Sequence, residues 1–197
     1  MCSICASMSG SSARRSSASP TSRNTSPPRP ASAIACAKPN KPRRPAQPTM
    51  IPSDIIRPRS IVKLAAANKP ALLRALARKA SEQLTLPEAA ILDALNRREA
   101  LGSTGVGGGL AMPHAPVEGL AEPFGLLARL DKPVAYEAID GAPVDLVCLV
   151  LTPVNGGKGR IDALACIAKR LRPAEIRERI RNAAGGEDIY ALLLEES

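Results

Sequence analysis

From Asn68 onward the apolar positions fall into periods that mark out the elements. Asn68 precedes Lys69-Pro70, a capping residue followed by a proline that is tolerated in a first helical turn. Leu72, Leu73, Leu76, Ala80 and Leu84 then share one helical face. Thr85-Leu86-Pro87-Glu88 has the form of a capping box with an early proline. Ile91, Ala94 and Leu95 follow at helical spacing, up to the polar run Asn96-Arg97-Arg98-Glu99. Two short helices, packed as an antiparallel pair, are therefore expected first. Phe124 to Leu130 and Val144 to Leu151 read as strands, the second apolar enough to be buried on both faces. Ile139-Asp140-Gly141 marks a turn between them. Beyond an Asn155-Gly156-Gly157 loop, Ile161, Leu164, Ala165, Ala168 and Leu171 make the cleanest helical stripe in the chain. Pro173 ends that helix and opens another carrying Ile176 and Ile180, Gly185-Gly186 breaks it, and Ile189 to Leu194 forms the last. The order helices, strands, helices predicts an α/β fold: a central mixed sheet flanked by helices on both faces in a single domain.

Charge divides the chain. Its 197 residues carry 27 Lys and Arg against 18 Asp and Glu, a formal +9. Residues 1–49 hold eight basic residues, no acidic one, eight of the 19 prolines and 11 serines. That composition cannot bury enough apolar surface to offset its ordering entropy and predicts a disordered basic tail. Globular-type sequence starts directly after Met50, so translation from Met50 is the expectation, with a real basic arm or an organellar transit peptide as the alternatives. Residues 50–197, at +1, are the size of one domain. Only Phe124, Tyr136 and Tyr190 are aromatic, so the core is expected to be aliphatic and no stacking platform for nucleic acid exists. A nucleic-acid-binding reading would rest on residues 1–49 alone. No apolar run attains the roughly 18–20 residues of a membrane span, so no membrane association is expected. Five scattered cysteines suggest a reducing, cytoplasmic compartment, and Cys2-x-x-Cys5 alone is a poor zinc site.

Chemistry concentrates between residues 98 and 114. Residues 102–109 read Gly-Ser-Thr-Gly-Val-Gly-Gly-Gly. Glycine-rich backbone can approach oxyanions closely, but it also serves in plain surface turns that need positive φ. A Walker loop fails because Gly108 stands where lysine is required, and a dinucleotide fingerprint fails because this loop follows a helix. His114, the sole histidine, lies between Pro113 and Pro116. On residues alone it is either a packed or surface imidazole, or a nucleophile with an ordinary pKa of about 6.5. No second histidine or surrounding cysteines exist to bind a metal with it, and no G-x-S-x-G elbow supports a hydrolase. Neither metal nor cofactor is expected.

Arg98-Glu99-Ala100-Leu101-Gly102-Ser103-Thr104-Gly105-Val106-Gly107, followed by Gly109-Leu110-Ala111-Met112-Pro113-His114, resembles the active-site signature of phosphotransferase-system enzyme IIA domains of the fructose/mannitol superfamily, nitrogen-regulatory type. The similarity continues through Ala138 to Leu146 and Ala168 to Leu171, and spans residues 50–197. The resemblance implies a bacterial phosphocarrier with His114 as the phosphorylated nucleophile and Arg98 as the arginine that stabilises the phosphoryl group. Ser103, Thr104 and Gly105 would bind phosphate. Arg160 stands where the superfamily often has a second histidine, and is either a further cation at the phosphate or a solvated helix-end residue. The implied partners are an HPr- or NPr-like phosphocarrier protein and regulated targets such as a sensor kinase or potassium transport. The alternatives are a sugar-uptake component that passes phosphate to a IIB protein, and a pure binding module with a degenerate site.

Overall fold

The computed structural model describes residues 50–195; the expected disordered tail, 1–49, lies outside the described residues. A 3-10 turn, Pro52–Asp54, leads into β1 (Ile56–Leu64), then α1 (Lys69–Leu84) and α2 (Glu88–Glu99). Three short strands follow, β2 (Gly105–Gly107), β3 (Leu110–Ala111) and β4 (His114–Val117), and then the long pair β5 (Phe124–Val134) and β6 (Val144–Pro153). Helices α3 (Gly157–Leu171), α4 (Ala174–Asn182) and α5 (Gly186–Leu194) complete the domain.

The strands form one mixed sheet in the order β1-β5-β6-β3-β2, with β4 continuing the edge of β6 beyond β3. β5 and β6 are antiparallel, whereas β1 on β5 and both β3 and β4 on β6 are parallel. Alternate residues of the central strands enter two cores, as period-2 geometry requires. Leu126, Ala128, Val147, Leu149 and Leu151 pack with Leu72, Leu76, Ile91 and Leu95 of α1 and α2. Leu127, Leu146, Cys148 and Val150 pack with Ala163, Ile167, Leu171, Ile180 and Ile189 of α3, α4 and α5. Helices thus cover both faces of a mixed sheet, as expected.

Three local expectations are corrected. β1 precedes the helices, so the order is not helices, strands, helices. Its burial recurs at every fourth residue, Ile56, Ser60 and Leu64, and Arg57-Pro58-Arg59 interrupts it. That is an edge strand with a proline and a register shift, and it carries no alternation to read. Thr85 does not cap α2: it closes α1 with φ 58°, and Pro87 is the N-cap of α2 without a side-chain bond. The buried face of α3 is Ala163, Ile167 and Leu171, while Ile161 is 65% exposed. Small residues lie all around that helix, so the sheet, not the largest apolar stripe, selects its inward face. Arg170, in the last turn of this helix, is buried, and its guanidinium donates to the Leu192 carbonyl.

Candidate functional site

Asn68 accepts from the Ala71 N–H at 3.0 Å and Pro70 occupies the first turn, so α1 starts as its sequence requires. α1 and α2 then pack on the sheet so that the last turn of α2, carrying Arg98 and Glu99, ends beside β4. The chain leaves α2, makes the β2–β3 hairpin and reaches His114 at the first position of β4, paired with Val150 of β6. Pro113 interrupts the edge between β3 and β4, and its carbonyl still accepts from Val150 N at 2.9 Å.

The imidazole is held at both nitrogens. Arg98 Nε donates to His114 Nε2 at 3.0 Å, and Nδ1 donates to the Met112 carbonyl at 3.0 Å. Both bonds exist together only in the tautomer that carries its proton on Nδ1. Arg98 also donates through Nη1 to the Gly102 carbonyl at 3.0 Å, which fixes the guanidinium against the ring. Partial burial holds the His114 pKa below its ordinary value, and the positive charges of Arg98 and Arg160 push it the same way. The Met112 carbonyl and the Glu99 carboxylate oppose them without prevailing. The result is a neutral ring with an available Nε2 lone pair, facing two cations. Arg160 is exposed in the first turn of α3, and its positive charge acts on His114 although its side chain makes no hydrogen bond to the ring.

The glycine loop is a built scaffold rather than an open cradle. Ser103 Oγ donates to the Tyr136 carbonyl at 3.1 Å and accepts from Gly105 N at 3.2 Å. Thr104 is buried, and it gives its backbone N–H and its hydroxyl to Glu99 at 2.9 and 2.6 Å. The Ser103 and Thr104 hydroxyls and the Thr104 and Gly105 N–H groups, expected at the phosphate, are therefore engaged within the domain. Gly105 is required by close approach, because a Cβ there would lie 2.6 Å from Ala138 Cα. Gly107, Gly108 and Gly109 all have positive φ and form the hairpin turn. Asp140 accepts from Gly108 N at 2.7 Å, and Arg181 holds the Gly108 carbonyl and the Asp145 carboxylate.

Sequence reasoning missed three members of this cluster. Lys69 Nζ contacts Glu99 at 2.9 Å and Glu137 at 2.8 Å, and lies 4.8 Å from the centre of the Tyr136 ring. Glu99 was legible only as a neighbour of Arg98 in the motif. Met112 acts through its carbonyl, which no residue-type pattern reveals. Among the described residues no group of three or more His, Cys, Asp or Glu side chains could hold a metal, and no helix is long and apolar enough to cross a membrane.

Residues 55–196 match the family model of the phosphoenolpyruvate-dependent sugar phosphotransferase system, EIIA 2. A nitrogen regulatory protein of Bradyrhizobium diazoefficiens is 41% identical over 142 residues, covering 72% of this chain and 93% of the relative. One from Escherichia coli K12 is 35% identical over 127 residues, 64% of this chain and 78% of that protein. The crystal structure of the nitrogen regulatory protein IIA-Ntr from Neisseria meningitidis superposes with a TM-score of 0.68 at 30% identity, over 72% of this chain and 97% of that one. IIA mannitol of Escherichia coli shares the fold at 19% identity with a TM-score of 0.59, over 68% of this chain and 96% of that one. With the match running across nearly the whole described domain and the histidine, arginine and glycine loop all inside it, the chain belongs to the EIIA type 2 family of the phosphotransferase system.

Proposed function

We propose that this protein is a phosphocarrier of the nitrogen-regulatory branch, accepting a phosphoryl group at His114 Nε2 from the phosphohistidine of an HPr- or NPr-like carrier protein and regulating partners through its phosphorylation state. The observation that carries the reading is the pair of bonds on the ring. Met112 keeps the proton on Nδ1, so the lone pair sits on Nε2, beside a guanidinium that can neutralise incoming charge. In the transfer, the Nε2 lone pair attacks phosphorus as the bond from phosphorus to the donor imidazole breaks, and that electron pair returns to the donor ring. No water, metal or redox partner is needed for the balance. The transition state spreads charge over three phosphoryl oxygens, and fixed cations stabilise it without reorganisation. Arg98 would turn from the lone pair to those oxygens, with Arg160 adding charge from α3.

The test is incubation with a phosphorylated carrier protein carrying radioactive phosphate. Acid-labile label should appear on the wild-type chain and vanish in His114→Ala. Full labelling of that variant refutes the assignment.

A further inference from the structure

Arg98 and Glu99 are consecutive in the last turn of α2, yet they act on opposite nitrogens of the imidazole. Arg98 touches Nε2 directly. Glu99 acts on Nδ1 through a chain of hydrogen bonds. Its carboxylate accepts from Thr104 N at 2.9 Å and Thr104 Oγ1 at 2.6 Å. The Thr104 carbonyl accepts from Met112 N at 2.9 Å, and the Met112 carbonyl accepts from His114 Nδ1 at 3.0 Å. Thr104 and Met112 are 6% and 7% exposed, so water does not compete well for these links. Lys69 supplies the balancing charge at 2.9 Å, and the Tyr136 hydroxyl lies 3.1 Å from Thr104 Oγ1.

We propose that Glu99, with Lys69 as its counter-charge, is a positioning residue for the phosphoryl acceptor: it anchors Thr104, and through it the Met112 carbonyl, so that His114 keeps its proton on Nδ1 and offers Nε2 as the nucleophile. The inference rests on His114 being the acceptor. The two imidazole tautomers lie close in energy, so one well-placed carbonyl decides between them. The opposite tautomer would aim an N–H at the Arg98 N–H and leave no lone pair on Nε2 to attack. The chain passes through successive peptide groups of different residues, so it transmits position and conducts no proton. Burial disfavours the Glu99 charge, but the bonds from Thr104 and Lys69 outweigh it and hold the carboxylate below the ordinary range. The groups facing Glu99 are Lys69 from α1, Thr104 and Tyr136; those facing His114 are Arg98 from α2 and Arg160 from α3.

Because His114 is the only histidine, nitrogen-edited NMR of the ring reports one set of signals. Wild type should show the Nδ1–H tautomer. Glu99→Gln should show a mixture, a lower titration midpoint because the carboxylate that favours the charged ring is gone, and phosphoryl transfer slowed about 10- to 100-fold. Wild-type tautomer, midpoint and rate in Glu99→Gln overturn the proposal. Should that variant not fold, Lys69→Met keeps the carboxylate but removes its partner. Its tautomer signature and transfer rate should then fail together at a higher pH than in wild type, and an unchanged profile overturns the proposal. The ring signals need no phosphate. Label surviving in His114→Ala would therefore sink the acceptor reading while the NMR result still decides the positioning.

Discussion

At the residue scale, the behaviour of His114 is set by what surrounds it more than by what it is. An imidazole left in water would be partly charged near its ordinary pKa of about 6.5. Burial and the charges of Arg98 and Arg160 lower that value in the folded chain. The native state therefore binds fewer protons than the unfolded one below pH 6.5, so this group costs stability as the pH falls through the unfolded value. The same shift protects function. Transfer to His114 should lose half its rate only at a pH below about 6.5, as initial-rate measurements across pH would show. A decline centred above pH 7 would contradict the lowered midpoint. Arg98→Met tests the cation separately. Its loss should raise the His114 midpoint, because a charge that opposes protonation is removed, and slow transfer by about 10²-fold as stabilisation of the transition state is lost. A slowed reaction with an unmoved midpoint would detach the arginine from the ring. The sequence showed His114 and Arg98 through the motif, because their chemistry lies in their side chains. It did not show Lys69, which lies 29 positions before Arg98 and joins the cluster only after α1 and α2 pack.

At the scale of elements, legibility followed the strength of local rules. α1 combines a cap, an early proline and one apolar face, and all three are where the sequence put them. β6 was readable because a short, β-branched apolar run following a turn fits a strand buried on both faces. β1 and the inward face of α3 were not readable, because an edge strand and a helix of small residues are defined by what packs on them. The cap is measurable: Asn68→Ala removes the acceptor for Ala71 N and should cost about 1 kcal/mol in denaturant unfolding. The glycine loop gives a harsher test. Gly105 adopts no unusual φ, so alanine is permitted by the backbone but collides with Ala138 at 2.6 Å from its Cα and 2.8 Å from its Cβ. Gly105→Ala should destabilise the domain by about 1–3 kcal/mol, because both sides of the contact are backbone or near it and neither can yield cheaply. It should also slow transfer, since β2 and the 138–141 turn brace the segment that carries Ser103 and Thr104. A variant with unaltered melting temperature would show that the turn moves freely.

On the scale of the whole molecule, charge separates the chain into two parts with different physics. Residues 50–197 carry 19 basic and 18 acidic residues, so a phosphoryl group of about two negative charges reverses the sign of the domain. Next to the site the surface is apolar: Leu101 is 85% exposed, Val106 54% and Ile139 86%. A new charge beside such side chains changes which partners can desolvate that face, and this gives the phosphorylation state a physical readout. Residues 1–49 contribute eight positive charges and no acidic residue. Such a charge run can draw in an acidic partner at long range, and that steering is screened beyond about 8 Å at 0.15 M salt. Initial rates of labelling for the chains 1–197 and 50–197 should therefore diverge at low ionic strength and converge as salt is raised. A deficit of the shorter chain that persists at high salt would mean that residues 1–49 contribute directly to the phosphoryl site, and the division of labour between tail and domain would have to be abandoned.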